Sequence, residues 1–145
     1  MMGKMMGGNR ESVPARTIRI AAALIDDGQG RLLLVRKAGT QWFMQPGGKI
    51  ENGESPLLTL RRELHEEIGL RLEDGAARYL GRFSAPAANE RGFVVEAEIY
   101  HVRVSHTPIA DSEIAEAVWV DPARAAVMKL APLTRDHILS LAQAL

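Results

Sequence analysis

Cysteine is absent from the 145 residues, and with it go disulfides, thiolate metal centres and cysteine nucleophiles. Charge of one sign is lacking too, since 18 basic residues balance 18 acidic ones. A chain without a basic excess has no footprint for the backbone of a nucleic-acid polymer, so a free nucleotide-like phosphate ester is the expected phosphate partner. Long apolar runs are also missing. The longest, Ile20 to Ile25, falls far short of the ~20 residues that cross a bilayer, and no membrane partner is expected. The opening MMGKMMGGNRES lacks the apolar stretch of about 7 to 15 residues of a signal peptide. A cytoplasmic protein is expected, with residues 1–16 as a flexible leader and 17–145 as one domain. Homodimerisation stays open.

What is present is a 46% hydrophobic, 25% charged chain, the balance of an ordinary globular domain. Thr17 to Ile25 and Arg31 to Arg36 read as strands joined through Asp26-Asp27-Gly28-Gln29-Gly30, a hairpin signal. Trp42 to Met44 is a short apolar segment, and Gln45-Pro46-Gly47-Gly48 should turn the chain. Ser55 as N-cap, Pro56 at the first helical position, Leu57, Leu60, Leu64 and Ile68 at helical spacing, and Gly69 as a left-handed cap together predict a helix. Strands over Arg78 to Phe83, Phe93 to Val104 and Ala117 to Val120 follow, with a loop over Ala85 to Gly92. Asp121-Pro122 opens a helical stretch, and an amphipathic helix over Leu133 to Leu145 ends the chain. The order predicts a mixed α/β domain.

At about 100° per residue, Glu63, Glu66 and Glu67 fall within one narrow face of the helix, beside its apolar stripe. Like charges at these spacings cost roughly 0.2 to 0.5 kcal/mol per pair, and no lysine of the helix is placed to relieve them. A hard divalent cation turns that repulsion into coordination, and magnesium accepts carboxylates, waters and substrate phosphates together. Arg62, one turn before Glu66, can pair with it and fix its rotamer. A solvated acidic face is the plain alternative for these residues.

From Gly48 the chain runs five residues to Glu54 and seven more to Arg62-Glu63-Leu64-His65-Glu66-Glu67-Ile68-Gly69-Leu70. This pattern, with Pro46-Gly47-Gly48-Lys49 before it, resembles the signature of the Nudix hydrolase family. The resemblance implies an α/β/α sandwich with a mixed sheet, and a magnesium-dependent pyrophosphohydrolase with manganese as a substitute. It implies that Glu63, Glu66 and Glu67 ligate the metal, that the Gly48 carbonyl joins them and that Arg62 orients a glutamate. Glu54 and Gly69 match structural positions of the motif, Glu54 stiffening its loop or helping to bind metal. A further glutamate before a late strand tryptophan often assists in this family. Glu113 fits that place ahead of Trp119, with a solvated turn acid as its plain reading and Glu116 as its competitor.

Other signals are weaker. Gly47-Gly48-Lys49 lacks the spacing and hydroxyl residue of a Walker A loop, so Lys49 is expected to meet substrate or a loop acid. The four histidines show no metal spacing. Trp42, Phe43 and Trp119 can stack on a base, although strand aromatics are more often core. Ser84 to Arg91, Asn89 included, is expected to form a substrate wall. Pro86 lies sixteen residues after Leu70, a spacing that in the family accompanies ADP-ribose cleavage. The short chain instead favours nucleoside triphosphates, oxidised ones among them. The rival of another class is a non-catalytic nucleotide-sensing domain, which has no need to keep Arg62 and the three helix glutamates together. Isomerases of prenyl diphosphates, which resemble the family, use a cysteine that this chain lacks.

Overall fold

The computed structural model describes residues 16–145, so the expected leader lies outside the described residues except for Arg16. The strands are β1 (Arg16–Asp26), β2 (Leu32–Lys37), β3 (Phe43–Met44), β4 (Gly47–Lys49), β5 (Arg78–Pro86), β6 (Phe93–Arg103) and β7 (Ile114–Val120). The helices are α1 (Pro56–Ile68), α2 (Pro122–Ala125) and, after a π-helical segment Thr134–Ile138, α3 (Leu139–Gln143).

All seven strands form one mixed sheet in the order β3-β2-β1-β6-β5, with β4 on β1 and β7 on β2. The centre is β1. It runs parallel to β6 from Arg16 opposite Phe93 to Asp26 opposite Arg103, and antiparallel to β4 with Ala21 opposite Gly48. The expected hairpin survives as a turn only, because β1 and β2 share the single register pair Asp26 and Leu32 and β2 spends its ladder on β7.

Alternation along β1 sorts the core into two layers. Ala21, Ala23 and Ile25 pack under Leu60, Leu64 and Ile68 of α1. Ala22 and Leu24 face the other way, onto Ala125, Leu133, Ile138 and Leu139 of the C-terminal segment. The sandwich is therefore helix, sheet, helix. Small residues on β1 let α1 and β4 come close to the strand.

Several expectations change. Gly47–Lys49 is a strand as well as a turn, because its backbone finds a ladder on β1. The β5 strand runs on to Pro86, opposite Val94, so the loop begins later than the Pro/Ala composition suggested; proline is tolerated at the end of an edge strand. Leu57 is 39% exposed, which leaves Leu60, Leu64 and Ile68 as the buried stripe. The C-terminal helix begins at Pro132 and passes through a π-helical segment, Thr134–Ile138, before its regular end.

Candidate active site

Local chemistry fixes α1. The Ser55 hydroxyl accepts from Leu58 N at 3.1 Å, Pro56 follows the cap, and Gly69 closes the helix at φ 66° with its N–H on His65 O. Each end thereby gains a partner for a backbone group that the helix itself leaves unpaired. The helix then holds its acids against β4, whose glycines are required by contact. A Cβ at Gly47 would collide with the backbone of Ala21 and Ala22, and one at Gly48 would meet the Glu63 carboxylate.

Glu63, Glu66, Glu67 and Glu113 share one cleft of about 310 Å³ with Lys37, Gly48, Lys49, Glu51 and Ser112. Glu67 is buried, 6% exposed, and accepts one hydrogen bond, from Gly47 N at 3.2 Å. Burial pushes its carboxyl up to about 7, against the pull of the Gly47 N–H. Burial also raises the Glu63 carboxyl, against a hydrogen bond from Arg62. Among the described residues Glu63 has the Arg62 guanidinium as its ion-pair partner, and Glu67 has only the Gly47 N–H.

Arg62 differs from the expectation. Its guanidinium donates to both carboxylate oxygens of Glu54, at 2.7 and 2.9 Å, and to Glu63 Oε2 at 2.7 Å. Glu66 Oε1 stands at 3.6 Å, outside hydrogen-bond range. The acid that Arg62 fixes is therefore Glu63, one residue along, because Glu54 anchors the fork on the loop side. Glu54 also accepts from the Thr59 hydroxyl and Glu51 N. With the Arg62 bond as the largest cause, its carboxyl falls to about 2.

Glu113 reaches the cleft through a loop sewn onto its neighbours. Asp111 N donates to Glu67 O and Ala38 N to Glu113 O, while Ser112 turns the chain at φ 54°. Its competitor Glu116 is engaged elsewhere, accepting from Arg36 Nε at 2.7 Å. Trp42 lies apart from the cleft, with Lys129 Nζ 5.2 Å above its ring; Met44, two residues on, is among the residues lining the neighbouring cavity.

Beside the cleft a second cavity, of about 150 Å³, opens on the other side of β4. Ile18, Ile20, Ala22, Met44 and Val95 give it apolar walls, and Gln45, Asn89 and Glu90 are its polar residues away from the cleft. Lys37, Gly48 and Lys49 line both spaces. Sequence reading missed Lys37, which β2 aims by a bulge between Arg36 and Lys37. Bulges re-aim side chains in this way, and no spacing rule reports them.

The donor set suits a hard divalent ion. Every acid of the cleft offers oxygen, and a cation would compensate the buried Glu67. Among the described residues no three acids are gathered into a ready-made cage.

The chain belongs to the Nudix hydrolase family, whose NUDIX domain model matches residues 16–142. Among curated proteins it is 37% identical over 108 residues to the NAD-capped RNA hydrolase NudC of Mycobacterium bovis, an alignment covering 72% of this chain and 33% of that protein. It is 41% identical over 59 residues to the 8-oxo-dGTP diphosphatase of Haemophilus influenzae, covering 38% of this chain and 43% of that protein. It thus spans less than half the length of these relatives. The solution structure of the E. coli ORF135 protein matches with TM-score 0.69 at 29% identity, covering 89% of this chain and 90% of the other. MutT from Methanosarcina mazei Go1 matches with TM-score 0.74 at 22% identity over 92% and 97% of the two chains, a likeness of fold alone. Among the described residues no helix is long and apolar enough to cross a membrane.

Proposed function

We propose that the protein is a magnesium-dependent pyrophosphohydrolase that cuts a phosphoanhydride bond in a nucleoside diphosphate linked to another group, acting in the cytoplasm. One observation carries this reading: an acidic cleft and an apolar cavity meet at Lys37, Gly48 and Lys49, which line both. A ring held in the cavity leaves its diphosphate at the two lysines, with the scissile bond over the carboxylates. Lys37 and Lys49 neutralise the phosphates, and Gly48 lets them approach the backbone.

Glu63, Glu66 and Glu67, with the Gly48 carbonyl, are the residues that would hold the metal. Bound there, magnesium or manganese screens the phosphates and lowers the pKa of its water. Arg62 keeps Glu63 in one rotamer and acts as a positioning residue. Glu66 and Glu113 are the acids placed to take a proton from the attacking water. Most of the rate enhancement comes from position and fixed charge. The neutral chain argues against a long nucleic-acid footprint, but the end of a polymer presents the same anhydride, and the names of relatives such as the NAD-capped RNA hydrolase keep that substrate in the panel.

Purified protein is incubated with magnesium and a panel of nucleoside triphosphates, 8-oxo-dGTP, ADP-ribose, dinucleotides and a capped RNA end, and the products are identified by phosphorus NMR. Turnover that chelator abolishes is expected. Full turnover in excess chelator overturns the metal assignment, and tight binding without any turnover identifies a nucleotide-sensing domain instead.

A further inference from the structure

The apolar cavity contains a polar side chain that the hydrolytic chemistry leaves unused. Gln45 is 6% exposed and lies on the cavity wall. Its carboxamide oxygen accepts a hydrogen bond from the Thr134 hydroxyl at 2.6 Å, and both partners are buried. Thr134 is fully buried and begins the π-helical segment, a type of irregularity that often accompanies functional sites.

The consequence is directional. A carboxamide can present oxygen, an acceptor, or nitrogen, a double donor. The Thr134 hydroxyl commits the oxygen, so the nitrogen is the end left over. Among the described residues that nitrogen has no hydrogen-bond partner, the Thr134 bond being the one that Gln45 makes through its side chain. A buried donor without an acceptor is a costly arrangement. It becomes favourable once a molecule in the cavity supplies the acceptor.

The surroundings narrow what that molecule is. Ile18, Ile20, Ala22, Met44 and Val95 suit a flat ring, and the lysines at the junction with the acidic cleft suit its phosphates. A ring that places a keto oxygen against the amide nitrogen completes the pair, whereas an exocyclic amino group there sets donor against donor. We propose that Gln45, held in one orientation by Thr134, is a specificity-determining residue that selects keto bases, guanine, uracil and thymine, over the amino bases adenine and cytosine. The inference rests on the proposed seating of the base and its phosphates, and it is independent of whether the anhydride is then cut.

Nucleoside monophosphates test it without turnover, because they contain no anhydride. Binding of GMP, UMP, AMP and CMP is measured by calorimetry for the wild type, Gln45→Leu, Gln45→Glu and Thr134→Val, each checked for folding by a thermal melt. The wild type should bind GMP and UMP at least tenfold more tightly than AMP and CMP. That ratio should fall to within about twofold in Gln45→Leu, reverse in Gln45→Glu, and weaken in Thr134→Val, where the amide is released to rotate. In a nitrogen-15 spectrum, the side-chain amide pair that disappears in Gln45→Leu should shift when GMP is added.

Absence of a keto preference, its survival in folded Gln45→Leu, or no binding of any of the four at millimolar concentration overturns the proposal. An amino preference overturns it as well, since Gln45 would then present its oxygen. If Gln45→Leu does not fold, Thr134→Val and the amide shift decide, and an unchanged ratio without a shift overturns the assignment. Keto selection in a protein that hydrolyses nothing in the panel leaves this inference standing and sinks the hydrolase; hydrolysis indifferent to the base does the reverse.

Discussion

A carboxylate such as Glu67, buried with one backbone N–H for company, holds its proton more tightly in the folded chain than in the unfolded one. Its folded pKa is raised to about 7 from an ordinary value of 4.5. Whatever stability protonation contributes is present below about pH 4.5 and lost as pH rises through 7. In chelator, Glu67→Gln should therefore melt with the wild type at pH 4 and increasingly above it toward pH 7. A constant difference across that range would show that the carboxyl titrates normally. In magnesium the same substitution should cost 10² to 10⁴ in turnover, about 3 to 5 kcal/mol at 1.36 kcal/mol per decade. Glu113→Gln should lower turnover at least tenfold, and Glu116→Gln should leave it unchanged, because its partner is Arg36. Wild-type kinetics in Glu113→Gln would remove that residue from the reaction.

At the scale of elements, the two glycines of β4 do different jobs and should fail differently. A side chain at Gly47 meets backbone, which cannot give way, so Gly47→Ala should pry β4 from β1 and lower stability by about 1 to 3 kcal/mol. At Gly48 the obstacle is the end of the Glu63 side chain, which can swing aside. Gly48→Ala should keep its melting temperature and lose metal affinity, read by calorimetry with magnesium or manganese. Equal losses of stability in both would show that the acid is not free to move. Elements whose signals are local were legible beforehand: α1 announces itself through Ser55, Pro56, its apolar spacing and Gly69. The β4 strand was hidden because three residues rich in glycine have no strand propensity and take their ladder wholly from β1. Lys37 was hidden for a related reason, since a bulge opposite β7 aims it. Glu113 could be placed near the helix acids by resemblance, whereas the backbone bonds that bring it there join distant segments and leave no trace in spacing. The type of Trp42 allows either a base stack or a core position, and spacing does not report that the ring meets Lys129 while Met44 lines the cavity.

In the whole molecule, β1 is flanked by β6 along its full length and by β4 across Ile20 to Ala22, with helical layers above and below. Opening it means breaking both ladders and both layers at once, so local fluctuation cannot reach it. Its central amides, from Ala21 to Leu24, should then be the last to exchange with deuterated water, at rates set by global unfolding. Because Gly47 and Gly48 are tied to those same residues, their turn should share this protection despite its glycines, and the Asn89 loop should exchange early. One ladder then joins the slowest-exchanging strand to the turn beside the acidic cleft, so a mutation that loosens that turn will also raise the rate at which the protein opens globally.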